Sequence, residues 1–189
     1  MDAVTATAHM SAAEFLAIGE DPNGRRWQLI DGELVMNEAN FRHGRSQLVI
    51  ASALEIWVRG AASRGVVAPP IDVRLDDRNV YGPDLVWYRE GRAPRLDDAP
   101  PYPVPDLAVE IRSPSTWRYD IGAKKANYER HGVAELWLVD TAADVVLVFR
   151  RSAAAAPAFD VSLELAATDT LTSSMLPDFA LPAGEVFAG

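Results

Sequence analysis

The spacing of hydrophobic positions changes several times along this chain, and each change marks an element. Ser11 followed by Glu14 has the spacing of a capping box, which predicts a short helix through Ala17 with Phe15 and Leu16 on its apolar side. Trp27-Gln-Leu-Ile and Glu33-Leu-Val-Met flank Asp31-Gly32. A two-residue Asp-Gly connection suits a type I′ turn, so residues 27–36 read as a β-hairpin. No breaker interrupts residues 43–62, where Leu48, Ala51, Leu54, Val58 and Ala61 recur at helical spacing until Gly65. Residues 66–75 read as a strand in which Pro69-Pro70 marks a bulge or an edge. A turn at 76–79 leads to a second strand over 80–88.

Five prolines between residues 89 and 105 leave a surface loop. Residues 106–112 form a short apolar strand, closed by the turn Ser113-Pro-Ser-Thr. A helix over 119–131 stops at Gly132, and residues 134–140 and 145–151 have the apolar content of buried strands. Strand, helix and strand over 106–140 fit a crossover unit, whose two strands run parallel. Residues 159–165 and 176–187 add an edge strand and a closing hook. The expectation is one α/β domain over residues 1–189, a mixed central β-sheet flanked by helices. Its core spans about 11–151 and its edge strand and hook 152–189.

Composition narrows the chemistry. The 189 residues include no cysteine, which excludes disulfides, thiolate zinc sites and thiol nucleophiles. His9, His43 and His131 are scattered, so an all-histidine zinc site is not expected. No apolar run approaches the ~20 residues of a membrane span, and the N-terminus lacks a basic-then-apolar leader pattern, so a cytoplasmic protein is expected. The net charge is −9, from 18 Lys and Arg against 27 Asp and Glu, which argues against indiscriminate nucleic-acid binding. Residues 152–189 carry five acids and no cation. Residues 111–131 carry Arg112, Arg118, Lys124, Lys125 and Arg130 against Asp120 and Glu129, an expected local basic patch. Lys124 and Lys125 are the only lysines in the chain.

Phosphate-cradling glycine loops, hydrolase elbows and His-Glu-x-x-His sites are absent from the sequence. A carboxylate constellation is present instead. Asp84 follows Pro83 at the head of Leu85-Val-Trp-Tyr88, and Glu110 lies inside Leu107-Ala-Val-Glu-Ile, where a carboxylate is costly to bury unless paired or bound to metal. Alternation puts Glu110 and Arg112 on one face and Val109 and Ile111 on the other. Asp120, Lys124 and Tyr128 share a helix stripe. Two acids can hold a hard divalent cation, Mg²⁺ or Mn²⁺, and a lysine can stabilise charge developing on a phosphoryl group. Each piece also has a plainer reading: Asp84 as a turn residue, Glu110 paired with Arg112, Asp120 and Lys124 as a solvated pair. Spacing alone leaves both readings open. Trp57, Trp87 and Trp137 fall in apolar periodic segments and read as core.

A series of motifs shifts the balance between them. It runs Trp27-Gln-Leu-Ile-Asp-Gly-Glu33, Arg42-His43, Ile71-Asp-Val-Arg-Leu75 and Gly82-Pro-Asp-Leu85. It continues with Asp106-Leu-Ala-Val-Glu-Ile-Arg-Ser-Pro-Ser-Thr116, then Asp120, Lys124 and Tyr128, then Gly132-Val-Ala-Glu-Leu-Trp-Leu-Val-Asp140. With these, residues 11–187 resemble the Uma-type family of restriction-endonuclease-like proteins, a branch of the PD-(D/E)XK nuclease superfamily. The resemblance implies a core sheet with helices on both sides and metal-dependent cleavage of DNA. It implies Asp84 and Glu110 as the metal-binding acids, with Lys124 as the catalytic lysine moved from strand to helix.

Three positions depart from the family pattern. Gln28 stands where the family commonly has Glu, which implies weaker metal binding if that acid is a ligand. Arg112 fills the superfamily's usual lysine position and stays protonated, so it cannot act as a base. Leu136 replaces a Tyr before Trp137. His43 matches the family's histidine; as a residue near a helix N-terminus its pKa should be pushed down. It could accept a proton or touch a phosphate, or simply cap and pack. His9 and His131 read as structural. The leading expectation is a Mg²⁺-dependent DNA endonuclease acting as a homodimer, since one small domain offers one site to a two-stranded substrate. Two alternatives stand beside it. One is a non-catalytic nucleic-acid or protein binding module on a decayed nuclease fold, which Gln28 and the −9 charge favour. The other is a metal-dependent phosphodiesterase acting on RNA or a small substrate.

Overall fold

Local signals set the first elements of the computed structural model, which describes residues 9–19, 21–22 and 24–188. Residues 1–8, on which the leader reading partly rests, lie outside the described residues. Helix α1 (Ala12–Ala17) starts at Ser11, whose hydroxyl accepts from the Glu14 N–H while the Glu14 carboxylate accepts from the Ser11 N–H. Strands β1 (Arg26–Ile30) and β2 (Glu33–Asn37) form the expected hairpin. Asp31 and Gly32 both have positive φ, 51° and 85°, as a type I′ turn requires.

Helix α2 (Phe41–Arg59) begins and ends earlier than periodicity suggested, because the Asn40 side chain caps it by accepting from the His43 N–H at 2.9 Å. Its buried face is His43, Ser46, Ile50, Leu54 and Trp57, whereas Leu48 is 60% exposed. Of the expected stripe, Leu54 is in the core and Ala51 and Val58 pack against it, whereas Leu48 and Ala61 turn outward and Ile50 and Trp57 take the central places.

The two long strands expected over 66–75 and 80–88 are each broken. β3 (Val66–Ala68) and β4 (Val73–Asp76) are separated at Pro69-Pro70; β5 (Asn79–Tyr81) and β6 (Leu85–Tyr88) are separated at Gly82-Pro83. A proline has no N–H to give a ladder, so both arms leave one sheet and enter another at these points. β4 and β5 complete a four-stranded sheet of order β2-β1-β5-β4, while β3, at the edge, and β6 beside it belong to a larger one. Between β3 and β6 the backbones approach closely. A Cβ on Gly65, which has φ +75°, would lie 2.1 Å from the Tyr88 carbonyl oxygen.

The larger sheet has six strands, in the order β10 (Val161–Ala166), β9 (Val145–Arg150), β8 (Glu135–Asp140), β7 (Leu107–Ile111), β6 and β3. Its β7 and β8 run parallel, as expected for a crossover unit. β9 and β10 are antiparallel neighbours. The crossover consists of α3 (Trp117–Tyr119), a π-helical turn (Asp120–Lys124) and α4 (Lys125–Arg130). β11 (Thr170–Ser173), β12 (Leu176–Pro182) and α5 (Ala183–Phe187) form the closing hook.

The layers follow from alternation. Odd-numbered side chains of β6 to β8, including Leu85, Val109, Ile111 and Trp137, pack on Ile50, Leu54 and Trp57 of α2 and on Phe179 and Val186 of the hook. The opposite face presents Ala108, Leu136 and Leu138 to Tyr128 of α4 and to Ile30 and Tyr81 of the smaller sheet. The fold is thus a mixed sheet with helices on both sides. Trp57, Trp87 and Trp137 are all buried. Among the described residues no helix is long and apolar enough to cross a membrane.

Candidate active site

The break at Gly82-Pro83 sets Asp84 beside the end of β7. Leu85 pairs with Val109 in the β6–β7 ladder, so Asp84, one residue ahead of β6, lies beside the Glu110–Ile111 end of β7. The Asp84 carboxylate is fixed at both oxygens. Oδ2 accepts from the Ile111 N–H at 2.6 Å, and Oδ1 lies 3.0 Å from His43 Nε2. A carboxylate only accepts, so Nε2 carries the hydrogen. Gln47, one turn along α2, donates to the Asp84 backbone carbonyl at 2.8 Å.

Glu110 takes a different set of partners. Its Oε1 accepts from the Tyr128 hydroxyl at 2.5 Å and lies 2.6 Å from Lys124 Nζ. The ammonium is shared, because Asp120 Oδ1 is 3.0 Å away. Asp120 Oδ2 accepts from Thr116 Oγ1 at 3.0 Å, and Thr116 is bonded in turn to Ser113. The face of the Tyr81 ring lies 5.4 Å from Nζ. Asp84, Glu110, Asp120, Lys124 and His43 are all between 0 and 3% exposed.

Burial and charge shift these groups together. Burial raises the Glu110 pKa, Lys124 opposes it, and Asp120 and Asp84 add to the rise. Asp120 is raised for the same leading reason against the pull of Lys124 and Thr116. For Lys124 burial acts downward, but the two carboxylates outweigh it and hold the ammonium charged. His43 is also raised: burial acts downward, and the hydrogen bond and charge of Asp84 overcome it. The expectation of a depressed His43 pKa is therefore corrected. A carboxylate in contact outweighs the partial charge of a helix end.

Two other expectations are corrected. Arg112 does not join Glu110; its guanidinium bonds both Asp140 oxygens at 2.8 and 2.9 Å and lies over the Trp117 ring. Residues 111–131 form no continuous basic patch either. Arg112 and Arg130 are paired with Asp140 and Asp76, and Lys124 is enclosed by acids. Arg118 bonds Tyr119 and Lys125 lies over Phe149. Gln28 is buried and accepts from the Gly82 N–H at 3.2 Å, so it braces the chain ahead of Asp84 without touching a carboxylate.

Residues 12–184 match the Uma2 family, described as "Putative restriction endonuclease". The chain belongs to this family. Its fold is shared with the structure titled "Crystal structure of a putative nuclease belonging to DUF820 from Anabaena variabilis". The TM-score is 0.77 at 18% identity, with 94% of this chain and 97% of that one covered. No curated protein matches the sequence.

Within this Uma2 fold, the α3–α4 crossover carries more of the site than its sequence announces. Asp120 and Tyr128 were visible on the Lys124 stripe, yet an i, i+4 acid–lysine pair on a helix is ordinarily solvated. Only the packing of the crossover on β7 shows them to be buried. The π-helical turn that begins at Asp120 has no sequence signal, and such turns recur at functional sites.

Burial and mutual repulsion work against ionisation of Glu110 and Asp120, and a divalent cation would offset both effects. Both protein contacts of Glu110 fall on Oε1. Among the described residues no three His, Asp or Glu side chains form a ready metal cage. Asp84 and Glu110 are the oxygen donors that a hard cation would take, with water making up the rest of its shell.

Proposed function

We propose that this Uma2 protein is a divalent-cation-dependent nuclease that cleaves DNA phosphodiester bonds through Asp84, Glu110 and Lys124. One observation carries the reading: Asp84 is bound to the N–H of Ile111, next to Glu110, and Lys124 Nζ lies 2.6 Å from the Glu110 carboxylate. Mg²⁺ or Mn²⁺ would be held by Asp84 and Glu110. When bound it supplies positive charge to a phosphoryl oxygen and lowers the pKa of water. The chain's own groups do the rest. The Ile111 N–H and His43 fix the Asp84 carboxylate, and the Tyr128 hydroxyl fixes Glu110. The Lys124 ammonium places positive charge where a phosphorane gathers negative charge. Two copies acting together would serve the two strands of a duplex, and sedimentation of the purified protein tests that arrangement.

One observation favours a second reading, a non-catalytic module on a nuclease fold: the cluster is closed from solvent and internally paired. The two are separated by incubating purified protein with plasmid, single-stranded DNA, RNA and a small phosphodiester in Mg²⁺, Mn²⁺ or EDTA. Asp84→Ala serves as the control. Cation-dependent DNA cleavage that the control lacks supports the nuclease. Cleavage confined to RNA or the small ester moves the substrate class. No cation-dependent cleavage of any substrate supports the module.

A further inference from the structure

We infer that Asp120 is a positioning residue, a second seat for the Lys124 ammonium that frees Glu110 for a divalent cation. This rests on the reading of Asp84 and Glu110 as cation ligands. Lys124 is wholly buried, so its charge cannot turn to water when a cation arrives. Its Nζ is 2.6 Å from Glu110 Oε1, so an arriving cation and the ammonium would compete for one carboxylate. Asp120 Oδ1, 3.0 Å from the same Nζ, offers an anion within a small rotation of the lysine stem.

Asp120 is itself anchored for that role. Thr116 Oγ1 donates to its Oδ2, leaving Oδ1 toward the lysine, and Thr116 is held by Ser113 at 2.8 Å. The π-helical turn begins at Asp120 and ends at Lys124, so the irregular backbone carries both partners inward together. The Tyr81 ring face adds a further contact for the charge. In the absence of a cation Lys124 is shared between Glu110 and Asp120; with one bound, it pairs with Asp120 alone and stays charged beside the cation site.

The test is a double-mutant cycle read as Mg²⁺ affinity by calorimetry on the full chain, with no substrate present. Asp120→Asn should weaken Mg²⁺ binding by about tenfold, because Lys124 then has only Glu110 to pair with. In a Lys124→Met background the same Asp120→Asn change should alter affinity by less than about twofold, since there is no ammonium left to seat. Equal weakening in both backgrounds would mean that Asp120 acts only through its charge on the cation, and would overturn the inference while leaving the cation site intact. Absence of Mg²⁺ binding by the unaltered protein would overturn the cation site itself, and the inference with it.

A second measurement needs no variant. The chain has only two lysines, so labelling lysine Cε with ¹³C gives two signals. The Lys124 signal should shift as Mg²⁺ is added, while Lys125, over the Phe149 ring, serves as the fixed reference. A Lys124 signal unmoved at saturating Mg²⁺ would contradict the change of seat.

Discussion

Glu110 shows how much of a residue's role lies in its neighbours rather than its type. The motif order made Asp84, Glu110 and Lys124 legible as a set, because a carboxylate inside an apolar strand needs a partner. Which partner was not legible. Arg112, two residues on, was the near candidate, yet it is taken by Asp140 on the adjacent parallel strand, 28 residues away. Glu110→Gln should abolish cation-dependent cleavage while lowering stability by no more than about 1 kcal/mol, because the amide oxygen still accepts from Tyr128 and Lys124 keeps Asp120. Urea unfolding beside the cleavage assay measures both. His43 gives a pH prediction. Its folded pKa lies above its ordinary value of about 6.5, so its stabilising contribution is complete below that pH and fades as pH rises through the folded value. The stability difference between the unaltered protein and His43→Gln should be larger at about pH 6 than at about pH 9, by on the order of 1 kcal/mol.

At the scale of elements, signals carried by two or three adjacent residues translated directly into structure. The Ser11–Glu14 box and the Asp31-Gly32 turn are local hydrogen-bonding and dihedral preferences, and both form as expected. Features set by distant packing were hidden: the division of the long hairpin between two sheets, and the rotation of α2 that buries Ile50 and Trp57 and leaves Leu48 outside. The link between α4 and the smaller sheet is of this second kind. Asn127 Nδ2 donates to Tyr81 at 2.6 Å, Asn79 at 3.0 Å and Asp31 at 3.1 Å, joining residues up to 96 apart in sequence. At the other end of the same junction the contacts are long and exposed, Glu38 N–H to Ser115 Oγ at 3.3 Å and Tyr119 hydroxyl to Glu33 at 3.5 Å. Asn127→Leu should cost about 2–3 kcal/mol, since it strands buried polar partners, and chemical unfolding measures it.

For the whole molecule, the charge of −9 and the dispersal of the 111–131 cations set the terms on which a polyanion can approach. Few phosphates can be neutralised at once. Binding to a DNA duplex should be weak, with a shallow salt slope of about −0.9 per contacted phosphate. Replacing EDTA by Ca²⁺ should tighten it, because Asp84 and Glu110 otherwise repel the backbone they must approach; fluorescence anisotropy in each condition tests this. The most direct measurement is plasmid cleavage by the purified protein in Mg²⁺, with EDTA, Asp84→Ala and Glu110→Gln run in parallel. The account predicts nicked or linear product with Mg²⁺ alone, and none with EDTA or with either variant. Equal product from the unaltered protein and both variants, or none from any of them in Mg²⁺ or Mn²⁺, would contradict it.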